Sequence, residues 1–377
     1  MKRQDIKICV ITCTRAEYGL LKNVVRCLKS TDGIECQLVV GGAHLLDAQG
    51  KTIQMIQDDG NDVDYVLDYL SGDDSEVGII RSMAKCTELC AACYEALQPD
   101  MILVLGDRYE LLPICSAALV MRIPIAHISG GDVTIGAIDN EIRNAVTMMA
   151  DLHFPGTNEA ATNIIRMRGS DKNVYNVGEI GIENLANGLF IERGELSKKF
   201  GWNANKKWLL VTLHPETKMT TAENAEMAET LMRFISKIKD VQIIVTYANA
   251  DCGGQEMNRI YESYAKRHDN IYLYPSLGQA NYNSTMSEAY CVIGNTSSGI
   301  VEAPILAKPV INIGLRQEGR HRCSNIIDVP VCTEDNLRDA MTKVQTMNLS
   351  PDNYWGDGNS SIEIVKEIKH YFEHDEK

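Results

Sequence analysis

Four carboxylic acids in the first half of the chain have the residue type and placement that proton-transfer chemistry requires. Asp107 follows the apolar run MILVLG, Asp132 ends the run AHISGGD, and Asp139 and Glu141 come shortly afterwards. Chemistry that removes a carbon-bound proton and protonates a leaving group needs separate carboxyl groups in different environments. We therefore interpret Asp107, Asp132 and Asp139 as candidate acids and bases. Asp139 could equally be a first-turn acid of a helix, which is our interpretation of Glu141.

The run GNTSSGIVEA, which begins at Gly294, has the composition of a phosphate-binding turn. A strand that ends in Gly, Ser and Thr before a helix leaves free backbone N–H groups with the helix dipole behind them. Helix capping by Ser297 or Ser298 explains the same pattern without a ligand. Glu302 then either accepts hydrogen bonds from the hydroxyls of a sugar ring or only favours the helix dipole. The chain contains neither a Walker A sequence nor G-x-G-x-x-G, so it lacks the fingerprints of ordinary P-loop and Rossmann sites.

Three arginines and two histidines are further candidates for binding. Arg15, Arg316 and Arg320 could fork onto a diphosphate, although a lone arginine is more often a solvated surface residue. His127 and His214 each follow directly after an apolar strand. One such histidine is commonly a hydrogen-bonded core residue, but two at the same predicted edge favour a functional role. Their spacing matches no usual zinc motif, so no metal is expected.

The elements that must position these residues alternate between short β-branched runs and longer helical ones, as in parallel α/β sheets. Strands are predicted near residues 6–12, 36–41, 101–105, 124–128, 152–155, 207–213, 241–246, 271–274, 290–294, 309–313 and 326–330. Helices are predicted near residues 18–29, 50–58, 77–97, 109–121, 138–150, 158–168, 221–238, 254–267, 278–288, 298–306, 334–345 and 360–373. The run NVYNVGEIGIENL predicts a further strand that leads into Gly178 and Gly181, a glycine-spaced hinge.

This alternation predicts two doubly wound α/β domains that face one another, with a ligand cleft between the carboxyl ends of their strands. An N-terminal Rossmann-like domain should span residues 1–177 and a C-terminal one residues 178–355, with residues 356–377 forming a helix that packs back on the N-terminal domain. The polar clusters support this arrangement because each follows a predicted strand. They are Thr14–Arg15, Gly42–His44, Gly106–Arg108, His127–Asp132, His214–Glu216, Asn249–Asp251 and Gly294–Gly299.

Charge and composition exclude several classes of partner. The 377 residues include 37 Lys and Arg against 51 Asp and Glu, a formal net charge of −14. So acidic a surface argues against nucleic acid or an anionic membrane as the main partner, and an aromatic content of 6% disfavours a base-stacking single-strand binder. No apolar run approaches the roughly 18 residues of a membrane span. The segment Ile6–Thr12 is predicted as a first strand rather than the core of a signal peptide.

The 12 cysteines indicate a reducing compartment, because most lie within apolar patterns where a free thiol behaves as a small hydrophobe. A cytoplasmic location is expected. Cys86, Cys90 and Cys93 have the C-x3-C-x2-C spacing of some iron–sulfur sites, but their segment is rich in helix formers and lacks Gly and Pro. Spacings of four and three residues place the three thiols on one helix face, and we predict that this face packs in the core.

Eight motifs occur in order along the chain: TRAEYGLLK, GGAHLLDAQGKT, LGDRYELLP, AHISGGDVTIGAIDNEIRNAVT, LHPET, NAD, GNTSSGIVEAP and INIGLRQEGR. Together they resemble one known family, the UDP-N-acetylglucosamine 2-epimerases, and in particular its hydrolysing branch from sialic acid and legionaminic acid biosynthesis. The resemblance runs from the first strand to about Pro330. It implies the GT-B fold, in which two Rossmann-like doubly wound domains face a central nucleotide-sugar cleft.

The resemblance also implies a reaction, the conversion of UDP-N-acetylglucosamine and water into N-acetylmannosamine and UDP. Loss of the C2 proton and of UDP would leave 2-acetamidoglucal, to which water adds, without a redox cofactor or an obligatory metal. Asp107 and Asp139 resemble the catalytic carboxylates of the family, and His44 and His127 its histidines near the sugar. The predicted substrate-binding set is Arg15, Arg108, His214, Asn249, Thr296, Ser297, Ser298, Glu302 and Arg316. The expected partners are a UDP-sugar and further copies of the chain in a dimer or tetramer.

One motif departs from the family pattern. Where many members read HIEGGE, this chain reads HISGGD, so Ser129 replaces a glutamate and Asp132 replaces the final one. Asp132 is the possible substitute acid.

Three other functions compete with the first interpretation. The same chemistry on UDP-N,N′-diacetylbacillosamine, toward legionaminic acid, fits the motifs equally well. A retaining GT-B glycosyltransferase would share the fold but would need an acceptor sugar. A nucleotide-sugar-binding regulator without catalysis would not need Asp107 or Asp139.

Overall fold

The computed structural model describes residues 5–47, 51–135, 137–186, 188, 190–249 and 251–374. The chain divides into two compact units. Unit 1 comprises Met1–Val133, Asp139–Asn187 and Trp355–Lys377, and unit 2 comprises Thr134–Ile138 and Gly188–Tyr354.

Strands and helices alternate through most of the chain. The strands are β1 (Ile6–Thr12), β2 (Ile34–Gly41), β3 (Tyr65–Leu67), β4 (Met101–Leu105), β5 (Ile125–Ile128), β6 (Leu152–Phe154), β7 (Lys207–Thr212), β8 (Val241–Thr246), β9 (Ile271–Tyr274), β10 (Cys291–Gly294), β11 (Val310–Ile313) and β12 (Ile326–Val329). The helices are α1 (Arg15–Lys29), α2 (Ile53–Asp58), α3 (Glu76–Leu97), α4 (Leu111–Met121), α5 (Asp139–Met149), α6 (Asn158–Arg168), α7 (Ile180–Ala186), α8 (Arg193–Phe200), α9 (Thr221–Ile235), α10 (Gly254–Ala265), α11 (Gln279–Glu288), α12 (Ser297–Val301), α13 (Glu334–Val344) and α14 (Ser360–His374).

Unit 1 is built on a parallel sheet with the strand order β3-β2-β1-β4-β5-β6. Helices cover both faces, so most strand residues are apolar on both faces instead of alternating with polar ones. In β1, Ile8 and Val10 join the core on one face, while Cys9 and Ile11 join the core on the other. Because all six strands run the same way, the loops that follow them lie at one edge of the sheet, which is the edge where ligands bind in such folds.

Unit 2 repeats this architecture with the order β12-β11-β10-β7-β8-β9, again wholly parallel. Leu209 and Val211 of β7 face one core, and Trp208 and Leu210 face the other. The last residue of β10, Gly294, has φ +140, and a Cβ there would overlap the backbone carbonyl of the neighbouring strand β7. Glycine is therefore required where the GNTSSG turn leaves the sheet.

A short segment between the first and second parts of unit 1, Thr134–Ile138, belongs to unit 2. The backbone N–H of Ile135 donates to the carbonyl of Glu318 at 2.7 Å. The N–H of Ile138 donates to the Thr217 hydroxyl at 3.0 Å, and Lys218 Nζ donates to the Ile135 carbonyl at 2.8 Å. The chain thus leaves unit 1 after Val133 and re-enters it at Asp139, the first residue of α5.

The predicted fold class, α/β with two Rossmann-like parallel units, is confirmed. The sequence pattern does not predict β3 or α8, because β3 has only three residues and α8 (RGELSKKF) is mostly polar. The strand predicted in NVYNVGEIGIENL is wrong: Val174 forms an isolated bridge with His153, and residues 180–186 form α7. The predicted helix 298–306 is too long, since α12 ends at Val301 and Pro304 disfavours its continuation.

The division of the chain lies after Asn187 and after Tyr354, whereas the sequence pattern suggests boundaries at 177/178 and 355/356. The first difference arises because α7 packs against α1 and α14, which both belong to unit 1. Helix α14 contacts α1, α7 and β6.

The cysteine-bearing face of α3 lies in the core, as predicted. Cys86, Cys90 and Cys93 are fully buried in one hydrophobic cluster of unit 1. Within the described ranges, no helix is both long and apolar enough to cross a bilayer.

Candidate active site

The carboxyl edge of the unit 1 sheet brings the loop of Asp107 beside the HISGGD loop. Leu105 at the end of β4 pairs with Ile128 at the end of β5, and the N–H of Gly106 donates to the Ile128 carbonyl at 3.0 Å. Gly106 and Ser129, which come next along the chain, are therefore neighbours at this edge, and Asp107 directly follows Gly106.

A buried arginine of α5, Arg143, connects these loops. Its Nη2 donates to Asp107 Oδ2 in an ion pair, and its Nη1 donates to the backbone carbonyl of Asp132 at 2.9 Å. Burial alone would lower the pKa of Arg143, but the negative charges of Asp107, Asp132 and Asp139 outweigh burial and raise it. The three predicted acids thus share one buried counter-charge, although they come from three separate positions in the chain.

The sequence pattern does not single out Arg143. One signal could have found it, because Asp139 and Arg143 are four residues apart on α5 and such pairs share one helix face. An arginine at 0% exposure also requires compensating acceptors, which the carboxylates supply.

His127 lies behind the carboxylates, fully buried in β5. Its Nε2 lies 2.7 Å from the carbonyl of Gly106, which can only accept, so Nε2 carries a proton. Its Nδ1 lies 3.3 Å from the Thr147 hydroxyl. Burial, assisted by the positive charge of Arg143, lowers the pKa of His127 to about 4. His127 is therefore neutral near pH 7 and fixes the peptide that precedes Asp107.

His44 is also fully buried, on a 3-10 turn that follows β2. Its Nε2 lies 3.1 Å from the Thr12 hydroxyl and its Nδ1 lies 2.8 Å from the Thr52 hydroxyl. Burial and the positive charge of Arg15 lower the pKa of His44 to about 4. Both ring nitrogens are engaged, so His44 ties the ends of β1 and β2 to α2, while Arg15 begins α1 close by.

Arg108 is engaged by carboxylates of its own unit. Its Nε and Nη2 donate to the two carboxylate oxygens of Glu110 at 3.1 and 3.0 Å, and its Nε lies 3.8 Å from Glu17 Oε1. Glu17 also accepts from the backbone N–H groups of Cys13 and Thr14, which makes it the capping box of α1. Burial raises the pKa of Glu17 to about 7, against the opposing charge of Arg108. Arg108 therefore joins the loop after β4 to the start of α1.

In unit 2 the loops after β7, β8 and β10 are joined through His214. Its backbone N–H donates to Asn295 Oδ1 at 2.8 Å, and Asn295 Nδ2 donates back to its carbonyl at 2.9 Å. The N–H of Asn249 donates to His214 Nδ1 at 3.1 Å. Because Nδ1 accepts, a neutral His214 carries its proton on Nε2. The fully buried Asn295 thus connects the loops after β7 and β10, a role that the sequence pattern does not reveal.

Glu216 of the LHPET run holds the loop that carries Arg316. Its Oε1 accepts from the backbone N–H groups of Leu315 at 2.7 Å and Arg316 at 3.3 Å. The Arg316 side chain and the Gln317 amide then donate to the carbonyl of Asn295, at 3.3 and 2.9 Å. Burial raises the pKa of Glu216. The LHPET and INIGLRQ motifs thus form one hydrogen-bonded assembly.

The GNTSSG turn brings the remaining predicted residues of unit 2 together. Thr296 caps α12 by accepting from the Ser298 N–H at 3.4 Å, and Ser297 is exposed. Glu302 follows α12 at 9% exposure, and burial raises its pKa to about 7. Among the described residues, Glu302 Oε2 has no hydrogen-bond partner, although it is buried. A buried carboxylate oxygen in this state suits a hydroxyl donor from a ligand.

A tyrosine that the sequence pattern misses completes this group. The hydroxyl of Tyr282, on α11, lies 3.2 Å from the Thr212 hydroxyl. Burial raises its pKa to about 12, with hydrogen bonds to Thr212, Thr296 and Ser298 acting in the opposite direction.

The predicted residues form two groups, one in each unit. Those of unit 1 are Arg15, His44, Asp107, Arg108, His127, Asp132 and Asp139, and those of unit 2 are His214, Asn249, Thr296, Ser297, Ser298, Glu302 and Arg316. Parts of the quoted motifs, Ala48–Gly50, Gly136 and Ala250, lie outside the described residues.

Comparison with known proteins identifies what the chain is similar to. The family model described as UDP-N-acetylglucosamine 2-epimerase matches residues 26–369. A GDP/UDP-N,N′-diacetylbacillosamine 2-epimerase (hydrolyzing) of Campylobacter jejuni is 33% identical over 341 residues, 90% of this chain and 88% of that protein. The polysialic acid biosynthesis protein P7 of Escherichia coli is 34% identical over 326 residues, 86% of this chain and 83% of that protein.

A solved structure shares the fold at much lower identity. The UDP-GlcNAc 2-epimerase of Neisseria meningitidis, solved bound to UDP-GlcNAc, superposes with a TM-score of 0.79 at 17% identity, covering 97% of this chain and 100% of that one.

Proposed function

Because the chain belongs to the UDP-N-acetylglucosamine 2-epimerase family, we propose that it is the hydrolysing enzyme that converts UDP-N-acetylglucosamine into N-acetylmannosamine and UDP. The reaction has two halves. In the first, a base takes the C2 proton, the C–H electron pair forms the C1–C2 double bond, and UDP leaves with the electrons of the C1–O bond. In the second, a proton adds to C2 of the glycal and the oxygen of water bonds to C1, while that water gives a proton to a base.

One observation carries this proposal: Asp107, Asp132 and Asp139 converge on the buried Arg143 at the carboxyl edge of unit 1. An elimination needs a carboxylate that accepts a carbon-bound proton, and the sequence places Asp107 and Asp139 in the matching family motifs. We assign these two residues to proton transfer and Asp132 to their support. Elimination of UDP followed by addition of water leaves the net oxidation state of the sugar unchanged, so the reaction requires no redox cofactor.

His127 and His44 are positioning residues in this proposal. Both are neutral near pH 7 because of burial, and their ring nitrogens are engaged by neighbouring groups of unit 1. His127 orients Asp107 through the Gly106 carbonyl, and His44 supports the start of α1, where Arg15 lies. Arg108 takes a similar supporting role through Glu110.

We assign UDP binding to unit 2. The buried Glu302 is suited to the ribose hydroxyls, since it offers an acceptor oxygen, and Arg316 is suited to the diphosphate as a donor. His214 and Asn249 shape the loop beside them. Thr296, Ser297 and Ser298 supply hydroxyl and backbone donors at the GNTSSG turn. Assembly as a dimer or tetramer and a cytoplasmic location remain predictions.

A second candidate substrate is UDP-N,N′-diacetylbacillosamine. The Campylobacter jejuni relative, which is 33% identical over 90% of this chain, is named for activity on that sugar. The chemistry at C1 and C2 would be unchanged, and the sugars differ at C4 and C6.

A side-by-side release assay with both nucleotide sugars tests the proposal. We expect UDP and N-acetylmannosamine from UDP-N-acetylglucosamine without any acceptor sugar, at a kcat/KM at least about 10-fold above that for the bacillosamine derivative, a ratio within reach of a few pocket contacts. A reversed ratio would establish the second candidate. Release that depends on an added acceptor would indicate a glycosyltransferase, and release from neither sugar would reject the proposal.

A further inference from the structure

Inversion at C2 requires two separate proton-transfer groups. In the proposed reaction, on which this inference rests, the proton leaves C2 from one face of the ring and the new proton arrives on the opposite face. A single fixed carboxylate cannot reach both faces of a bound ring. The aspartates around Arg143 can supply one group, so the site needs a second carboxyl group in another position.

Ser129 marks where the second group lies. It follows β5 with φ +59, in the left-handed region that a serine adopts infrequently and that is often found at functional sites. Its backbone N–H donates to the Phe154 carbonyl at 2.9 Å, which fixes it beside the end of β6. Its hydroxyl donates to Glu179 Oε2 at 2.8 Å. The residue that replaces a family glutamate is therefore in direct contact with another glutamate, distant in sequence.

Glu179 is held at the same carboxyl edge by the loops after β5 and β6. It is 8% exposed, and a Cβ on Gly156 would overlap its carboxyl group, so glycine at 156 provides the space for it. Asp107, Ser129 and Gly156 follow the adjacent strands β4, β5 and β6. The carboxyl group of Glu179, held between Ser129 and Gly156, therefore lies one to two strand spacings of about 4.8 Å from the loop that carries Asp107.

The C-terminal part of the chain fixes the backbone of Glu179. Its N–H donates to the carbonyl of the buried Trp355 at 2.8 Å, and the Ser360 hydroxyl donates to the Gly178 carbonyl at 3.3 Å. One turn later, Glu183 accepts from the backbone N–H of Ser361 at 2.9 Å. Two segments of unit 1 thus define the position of this carboxyl group before substrate arrives.

We propose that Glu179 is the second proton-transfer group of the site and takes over the function of the acid that Ser129 lacks. Glu179 exchanges a proton with C2 on one face of the ring, and Asp107 or Asp139 exchanges a proton with C2 on the opposite face. One of the two groups removes the original proton and the other supplies the new one. Removing Glu179 should therefore block the half-reaction that uses its face and leave the other half-reaction in place. The motif alone suggests Asp132 as the substitute acid. In the structure the backbone carbonyl of Asp132 accepts a hydrogen bond from Arg143, which places this residue with the Asp107 group.

The test measures the two half-reactions separately in Glu179→Gln, which keeps size and hydrogen bonding but cannot exchange a proton. Elimination is followed as release of UDP and 2-acetamidoglucal in a single turnover, and hydration as N-acetylmannosamine formed from supplied 2-acetamidoglucal and UDP. We expect a loss of about 10²–10⁴-fold in one half-reaction, with the other changed by less than about 10-fold and UDP affinity unchanged. Equal rates in Glu179→Gln and wild type, or equal losses in both half-reactions, would overturn the inference.

Two further variants separate chemistry from structure. Glu183→Gln removes an equally buried carboxylate from α7, the helix that begins directly after Glu179, and it should lower thermal stability while both half-reactions keep wild-type rates per folded molecule. The double variant Ser129→Glu with Glu179→Gln returns a carboxyl group to the adjacent position. It should regain at least about 10-fold of the rate lost in Glu179→Gln, and the absence of any gain would count against the proposal.

The wild-type protein distinguishes this inference from the function on which it rests. If wild type releases no UDP from either nucleotide sugar, the proposed function fails. If wild type is active and Glu179→Gln matches it, only the assignment of Glu179 fails.

Discussion

Replacing Asp107 by Asn is expected to lower kcat by about 10²–10⁴-fold, the usual contribution of a general acid or base, while UDP affinity stays close to wild type. Asn keeps the shape of the side chain and can still accept a hydrogen bond from Arg143, but it cannot take a proton from carbon. The proposed UDP ligands lie mainly in unit 2, so binding of UDP alone should not depend on this carboxylate. Steady-state kinetics and calorimetric titration with UDP measure the two quantities.

Asp151→Asn is the matched control for this variant. Asp151 belongs to the same unit and accepts from the Ile125 N–H at 3.0 Å, but it precedes β6 and so lies at the opposite edge of the sheet. Its replacement should affect stability without a specific loss of turnover. Equal losses of UDP affinity and kcat in Asp107→Asn would show that the site has been divided wrongly between binding and chemistry.

Replacing Arg143 by Met is expected to destabilise unit 1 by about 3–5 kcal/mol, the range for removing one partner of a buried ion pair. Met fills a similar volume, but it leaves Asp107, Asp132 and Asp139 without their shared counter-charge. Turnover should also fall, because Asp107 loses the contact that orients it. Hydrogen exchange of the buried amides of β4 and β5 reports the stability of this unit directly.

Two other arginine variants serve as comparisons for the effect of Arg143→Met on stability. Arg143→Lys keeps the charge but cannot reach Asp107 and the Asp132 carbonyl in the same forked geometry, so it should be intermediate. Arg168→Met, at an exposed position of α6, should change stability by no more than about 0.5 kcal/mol. Wild-type exchange rates in Arg143→Met would show that the aspartates do not depend on this cation.

The sequence predicts most of the fold because parallel strands buried on both faces leave a strong signal. β8 and β9 have the predicted bounds, since each is a β-branched or aromatic run between turn residues. The errors occur where this signal weakens. β3 has three residues at the edge of its sheet. Residues 180–186, where the glycine spacing suggests a hinge, form a helix that buries Ile180, Ile182 and Leu185.

The sequence predicts which carboxylates belong to the site, but it does not predict the contacts that hold them. Asp107 and Asp139 could be found because they follow strands in recognisable motifs. Glu179 could not, since its importance depends on a partner 50 residues away in the chain. Arg143 has a sequence signal only in its spacing from Asp139, because its partner Asp107 lies 36 residues away. The pattern also does not reveal that His44 and His127, expected near the sugar, are wholly buried, which supports a positioning role for both.

The central claim is that the C2 proton of the sugar is lost to solvent-exchanging groups and replaced from the opposite face. Conversion of UDP-N-acetylglucosamine in deuterium oxide, with the product examined by proton NMR and mass spectrometry, tests this most directly. The account predicts N-acetylmannosamine with one deuterium at C2 in essentially every molecule, because two different groups remove and supply the proton. Product that keeps the original hydrogen at C2, or free N-acetylglucosamine with UDP, would contradict the account.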